Sequence, residues 1–342
     1  MGAKESAKKP GSPLLKLAGK YSFIIVFVLI FLIYVISSSG LTWAGAMNIF
    51  RHSAVVGIIA IGMGLICLTG EIDLSVGSML ALDSGFSVII FNMTGSIIAT
   101  LVFAILFGAL CGMGNGFFVG YIGMPAFIVT LATMLIYRSF SQYFCQRIDK
   151  ALLGGGSSVY KMSRIGGYDA MYGFGNGRLA TIPIVGILLI LFTALFVYIV
   201  NNTKYGKKVY AVGSNTKGAL MAGINVNLIK ISVITIAGIL VGLSSFMWIA
   251  MNASADPATT GSSYEMYAIA AVVLGGISMA GGKGNFLGIF FGALSYTVID
   301  KIIVALKMDS LINDAVKGII LILVIMIQYI GPKLKEKFAA KA

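Results

Sequence analysis

Residues 53–91 read SAVVGIIAIGMGLICLTGEIDLSVGSMLALDSGFSVIIF. The first run, 53–69, is free of charge, and the second, 74–91, holds Asp83 alone. Between them lies GEIDLSVGS, residues 70–78, where a glycine and two acids interrupt the apolar pattern. A run of ~20 apolar residues spans about 30 Å of hydrocarbon as a helix. There the backbone must satisfy its own hydrogen bonds, which a helix does and a loose segment does not. The stretch therefore predicts two membrane helices joined by a polar break.

Working outward, the same pattern recurs at 21–38, 96–121, 126–144, 182–200, 231–251, 266–280, 286–306 and 311–330. This predicts an all-α polytopic membrane protein of about ten transmembrane helices. The runs 74–91 and 266–280 are short, and reading both as re-entrant half-helices lowers the count to eight spans. The composition agrees. The 342 residues are 58% hydrophobic and only 11% charged, whereas soluble domains carry ~25% charge. A cytosolic enzyme, a nucleic-acid-binding protein and a disordered chain are all excluded. Cys67, Cys111 and Cys145 sit in apolar runs and form no disulfide or metal pattern, and His52 is the only histidine. We assign no catalytic residue and no metal site.

The net charge of +13 reads as topology. Cytoplasmic loops of membrane proteins are enriched in Lys and Arg. The basic tails 1–20 and 332–342 and the basic stretch 202–230 fall on one side of a ten-span chain. Both termini are thus expected in the cytoplasm. The division is a tail 1–20, a transmembrane domain 21–331 and a tail 332–342. Within that domain lie a first half 21–145, an external loop 146–180 and a second half 181–331. Ser37–Gly40 after a basic leader has the look of a signal-peptidase site, but the embedded chain downstream favours an uncleaved first span.

Glycines recur every fourth residue at Gly108, Gly112, Gly116 and Gly120, and again at Gly284, Gly288 and Gly292. Such ladders bare one helix face for close packing. They stand five spans apart. An odd number of helices per half inverts one half against the other, so two inverted five-helix halves are expected.

Acids in a membrane mark function by default. Glu71, Asp73, Asp83, Glu265 and Asp300 adjoin or enter spans. Asp73 or Ser75 can cap the helix after the first break. Ser262–Glu265 has the Ser-x-x-Glu form of a capping box. The two breaks would flank a central pathway, with Glu71 and Asp73 near the cytoplasmic end and Asp256 and Glu265 near the outer end. Asp300 and Lys301 read as an interfacial pair. Asn115, between ladder glycines, can bond a neighbouring helix or a polar solute. Ala280–Gly284 (AGGKG) fails the spacing of a phosphate-binding P-loop and no strand precedes it, so any ATP is hydrolysed elsewhere. In the basic stretch, Asn215 can cap a short helix over 216–222 that Gly223 ends, a docking element for a soluble motor.

Four motifs in order, GEIDLSVGS (70–78), PAFIVTLATM (125–134), the loop 205–224 and AIAAVVLGGISMAGGKG (268–284), resemble the permease subunits of ribose/galactose-type sugar ABC importers. So does Asn48–Ser53. The resemblance covers nearly the whole chain after residue 20. It implies a type II-like ABC importer permease in the bacterial inner membrane. The substrate-pathway candidates are Glu71, Asp73, Ser75, Asn115, Phe127, Thr130 and Glu265. The resemblance also implies ATPase contact at Tyr205, Gly206, Gly213, Asn215, Ala219, Ala222 and Gly223. Its partners would be a cytoplasmic ABC ATPase, a second permease copy (identical or paralogous), an extracytoplasmic binding protein and the lipid bilayer. ATP and Mg would be held by the ATPase, and this chain would need no cofactor. Ser214, Gly218 and Glu71 depart from the family's usual residues, and Gly218 weakens its short helix by up to ~1 kcal/mol. The implied function is passage of a monosaccharide such as ribose or galactose by alternating access. An ion-coupled secondary transporter, or the same class carrying nucleosides, a furanose signal molecule or branched-chain amino acids, are the alternatives.

Overall fold

The computed structural model describes residues 22–308 except 39, 41, 156 and 157, and then 312, 315–320, 322, 323 and 326. Both basic tails and half of the expected last span lie outside the described residues.

Helix α1 (Ser22–Ser37) is apolar on every side, as lipid on one face and protein on the other require. Helix α2 (Trp43–Leu68) starts at Thr42, whose hydroxyl accepts the Gly45 N–H at 3.1 Å. It begins ten residues before the apolar run at 53, because Trp43–His52 carries polar and small residues that lengthen a helix without making it hydrophobic. Helix α3 (Val76–Thr94) closes on Gly95 at φ +61°. The Ser96 hydroxyl caps α4 (Ile97–Gly116), which continues as a π-helical turn over Phe117–Ile122. Pro125 opens α5 (Ala126–Arg147) and Pro183 opens α7 (Ile184–Asn202), positions where the missing N–H has no intrahelical partner to lose.

Between them lie strand β1 (Tyr160–Lys161), α6 (Tyr168–Asn176), and the strand pair β2 (Arg178–Leu179) and β3 (Ile182–Pro183). Helices α8 (Lys204–Ser214), α9 (Thr216–Met221) and α10 (Val226–Asn252) follow, then β4 (Ser254–Ala255), α11 (Tyr264–Leu274) and α12 (Gly288–Ala305). Among the described residues, six helices are long and apolar enough to cross a membrane, namely α2, α3, α4 with its π turn, α7, α10 and α12. The run 74–91 is thus a full-length helix and not re-entrant. The run 266–280 is the opposite case. Its helix α11 has only 11 residues and stops at Leu274, because Gly275 and Gly276 begin an uncoiled segment. Helix α5 has 22 residues, but Arg138, Gln142 and its hydroxyl side chains lower its hydropathy.

Helix α2 is the hub: from Ser53 to Leu68 every residue is buried, between α7, α10, α11 and α12. The closest seam joins α4 to α10. There a β-carbon at Gly108 would collide with the Gly238 carbonyl, and one at Gly112 would lie 2.7 Å from the Ile234 carbonyl oxygen. Gly116 and Gly120 face Ile231 of the same helix. In the other ladder, Gly288 and Gly292 lie on α12 against Gly275 and Ala271, but Gly284 does not share their face. It stands in the uncoiled segment at φ +140°, a value helical backbone never takes, so the expected third rung is missing.

The described residues of segment 146–180 are clasped to one end of the bundle, here called the upper end. Strand β1 pairs antiparallel with β4, and the Asn92 side chain on α3 holds the Leu152 and Lys161 carbonyls. Tyr160 is fully buried against Gly85, its hydroxyl donating to the Ser141 carbonyl at 2.7 Å. The opposite, lower end gathers Leu68, Ser214 and Gly282.

Candidate functional site

Two breaks in helical form, one before α3 and one before α11, gather polar side chains inside the bundle. In the first break, between α2 and α3, Asp73 Oδ1 accepts the Ser75 N–H at 2.7 Å and the Ser75 hydroxyl at 2.6 Å. Ser75 Oγ in turn accepts from Asn115 Nδ2 on α4 at 2.9 Å. All three residues are buried. A carboxylate there is tolerable only when donors surround it, and this chain of bonds supplies them. Ser75 stands at the N-cap of α3 without a side-chain cap, because its hydroxyl is committed to Asp73. Asn115 thus bonds across helices, while its Oδ1 has no partner among the described residues.

The second break follows Ala253 at φ +54°. Asp256 Oδ1 accepts the Ala258 N–H at 2.8 Å, and Thr260 Oγ1 accepts the Asp256 N–H at 2.9 Å. Arg138, projecting from α5, donates through Nη1 to the carbonyls of Thr260 at 2.7 Å and Pro257 at 3.1 Å, with Ala258 at 3.4 Å. The capping box expected at Ser262–Glu265 does not form. Ser263 stands at the N-cap in a left-handed conformation, φ +62°, with no side-chain cap bond. Glu265 instead brings its carboxylate beside Gly77 and within electrostatic reach of Arg138.

The two breaks meet. Gly77 at the start of α3 lies against Gly261, and a β-carbon on either would collide with the other's carbonyl oxygen. The N-termini of α3 and α11 therefore converge on one point. Helix N-termini present unpaired N–H groups and a positive dipole end. The result is a small polar region, with acids, amides and hydroxyls, set inside an apolar bundle. Its polar groups are buried and mostly bonded to one another, with Asn115 Oδ1 left over.

The predicted pathway residues fall into separate places. Asp73, Ser75 and Asn115 are bonded together at the first break, and Glu265 lies at the second. Glu71 faces the lower end, paired with Lys230 on α10. Thr130 is buried, but its hydroxyl donates to the Ala126 carbonyl of its own helix. Phe127 is 56% exposed on the outside of α5. Arg138 went unrecognised in the sequence, although a cation inside the run 126–144 was itself the signal.

At the lower end, α8 and α9 form a ledge. Thr203 caps α8 and Asn215 caps α9, its Oδ1 accepting the Gly218 N–H at 2.9 Å. Gly223 at φ +76° ends α9 one residue after Ala222. Helix α8 is a finding beyond the sequence reading, which expected only the second of these helices. Its buried face, Gly206, Val209 and Val212, recurs at helical spacing. Tyr205 bonds Ser232 at 2.9 Å and Tyr210 donates to the Gly284 carbonyl at 2.9 Å. Burial pushes both phenols above their ordinary range. Gly213 lies against the Leu68 carbonyl with no room for a β-carbon, and that carbonyl accepts the Gly282 N–H at 2.9 Å. Ser214 Oγ reaches the Gly282 carbonyl at 3.2 Å. The ledge therefore holds the end of α2 and the segment before α12 together. Ala219 is buried, while Leu220 and Met221 stand 64% and 85% exposed on its outer side.

The family described as branched-chain amino acid transport system, permease component, matches residues 45–325. The ribose import permease protein of Escherichia coli (strain K12) is 35% identical over 307 residues, 90% of this chain and 92% of that protein. Its counterpart in Bacillus subtilis (strain 168) is 32% identical over 89% of this chain and 91% of that protein. The autoinducer 2 import system permease protein of Yersinia pseudotuberculosis (strain YPIII) is 31% identical over 80% of this chain and 74% of that protein. No solved structure matches the chain.

Proposed function

The chain belongs to the family of branched-chain amino acid transport system permease components, and on that premise we propose that it is the membrane-spanning subunit of an ATP-driven importer for a monosaccharide such as ribose. The cargo is supported by the ribose import permeases, which align over nine-tenths of their length. The drive is supported by the ledge at the lower end, where α8–α9 grips the last carbonyl of α2 and the segment leading into α12. That grip is the observation that carries the reading, since a pull on the ledge moves both breaks' supporting helices together.

In this reading the chain is made of two inverted halves. Helices α2, α3 and α4 with the first break correspond to α10, α11 and α12 with the second. Both termini and the ledge face the cytoplasm of a bacterial inner membrane, and segment 146–180 faces outward. A cytoplasmic ATPase pair, which holds ATP and Mg, docks on Leu220, Met221 and the α8–α9 surface. A second permease copy completes the pathway, and an external binding protein delivers the solute. ATP binding draws the ledge, the helices rock along the glycine seam, and the polar region opens to alternate sides. Catalysis of any reaction within this chain forms no part of the scheme.

The alignment with an autoinducer 2 import permease favours a second cargo, a furanose signal molecule of similar polarity. Reconstitution of the permease with its ATPase and binding protein in proteoliposomes tests the reading. ATP-dependent D-ribose uptake is expected. Uptake by this chain alone on a sodium or proton gradient overturns it.

A further inference from the structure

Next to the second break, and away from the Asp73–Ser75–Asn115 cluster, a cavity of about 250 Å³ opens between α11, α12 and residues 317–318. Small-molecule sites begin near ~300 Å³, so this one suits a single sugar ring. Ser263, Met266, Tyr267, Tyr296 and Lys317 line it. The Tyr267 and Tyr296 rings lie 4.8 Å apart, tilted by 33°. Lys317 Nζ stands 4.6 Å and 5.2 Å from their centroids. The same ammonium pairs with Asp300 at 2.9 Å, its side chain only 8% exposed. Asp300 therefore pairs across to Lys317 and not with its neighbour Lys301 as the sequence suggested. From the upper end an aromatic series leads inward, with Trp248 to Tyr264 at 5.9 Å and Tyr264 to Tyr267 at 5.4 Å.

We propose that this cavity is a transient binding site for a neutral monosaccharide, a proposal that rests on the importer reading above. A sugar ring has two kinds of surface. Its C–H faces are weakly apolar and pack on an aromatic plane, where large contact area comes with little conformational loss. Its hydroxyls accept from an ammonium, which carries N–H donors and no acceptor. The tyrosine pair meets the first requirement, and Lys317 with the Ser263 hydroxyl meets the second. A lipid chain would satisfy the rings but leave the polar groups against hydrocarbon, which is unfavourable. An anion would compete with Asp300 for Lys317, and a cation would be repelled by it. Ser263, in its left-handed turn, places the cavity beside the second break.

The test uses the permease with its ATPase and binding protein in proteoliposomes. Tyr267→Phe keeps the ring, and D-ribose uptake is expected within about twofold of the unaltered complex, whereas Tyr267→Leu lowers it by about tenfold, the scale of one lost aromatic contact. Binding is read separately through Met266→Cys, an exposed position at the cavity mouth, against native cysteines that are all buried. D-ribose is expected to slow alkylation of the introduced thiol by a water-soluble maleimide severalfold. Equal alkylation with and without ribose, or protection by added phospholipid alone, overturns the site. So does a Tyr267→Leu complex that transports like the unaltered one. An unaltered complex that moves no ribose refutes the importer reading itself, and an active one with an unprotected thiol refutes only the cavity.

Discussion

Replacing Arg138 by Leu removes the α5 side chain that, among the described residues, holds the second break. Its Nη1 donates to the Thr260 carbonyl at 2.7 Å and the Pro257 carbonyl at 3.1 Å, with Ala258 a longer contact at 3.4 Å. Hydrogen bonds to a charged group contribute roughly 1.5–3 kcal/mol each, and a buried carbonyl left bare loses a similar amount. Two good bonds set an upper value of about 6 kcal/mol. Arg138 is half-buried, so water replaces part of the loss and about 2–4 kcal/mol is expected. Every 1.4 kcal/mol is a factor of ten, so the closed form of the break falls in population by about 30-fold or more. Two assays read this. The thermal midpoint of the purified permease drops, and amide exchange across residues 255–262 rises selectively. Arg138→Lys recovers a minority of the effect, because one ammonium does not bridge two carbonyls as a planar guanidinium does. The neighbouring Glu265 supplies a control. Arg138→Leu combined with Glu265→Gln is less damaging than the sum of the two, since the second change removes a charge that the first left uncompensated. An Arg138→Leu protein with unchanged exchange over 255–262 refutes the argument.

Gly112→Leu, placed in the α4–α10 seam 2.7 Å from a backbone oxygen, is expected to abolish stable folding in membranes, while Gly114→Ala, with nothing near it, changes the thermal midpoint by no more than about 0.5 kcal/mol-equivalent. Exchanging residues 215–222 for a Gly/Ser linker abolishes ATP-driven uptake while the permease still inserts; normal uptake sinks the docking assignment. Glu71→Gln breaks a pair whose side chains are each 22% exposed, so it lowers stability by at most about 1 kcal/mol, measured as a shift in unfolding midpoint.

Much of the fold is written in short stretches of chain. The run 126–144 becomes α5 with its first residue unchanged, because a lipid-facing segment has no way to satisfy its backbone except as a helix. Asn215 and Gly223 bound α9 as read, since capping and left-handed glycine are decided by neighbours within four residues. The failures also have local reasons. Ser262–Glu265 has the letters of a capping box, but the turn at Ser263 is set by the packing of Gly261 on Gly77, far away in the chain. Helix α8 was not seen because the sequence there is polar and rich in lysine, and its apolar face counts only three residues.

The sequence by itself determined that this protein lies in a membrane as a bundle of helices, where the breaks fall, and that the glycines of 108–120 bare one helix face. Those are consequences of apolar length, of backbone hydrogen bonding and of glycine's missing β-carbon, all properties of a residue and its near neighbours. Only the tertiary structure decided that the α4 ladder docks on α10, that Arg138 holds the second break, that Asp300 pairs with Lys317, and that two tyrosines and a lysine share one cavity. Such pairings depend on the fit of two surfaces brought together by the whole fold, and no periodicity within either segment encodes its partner.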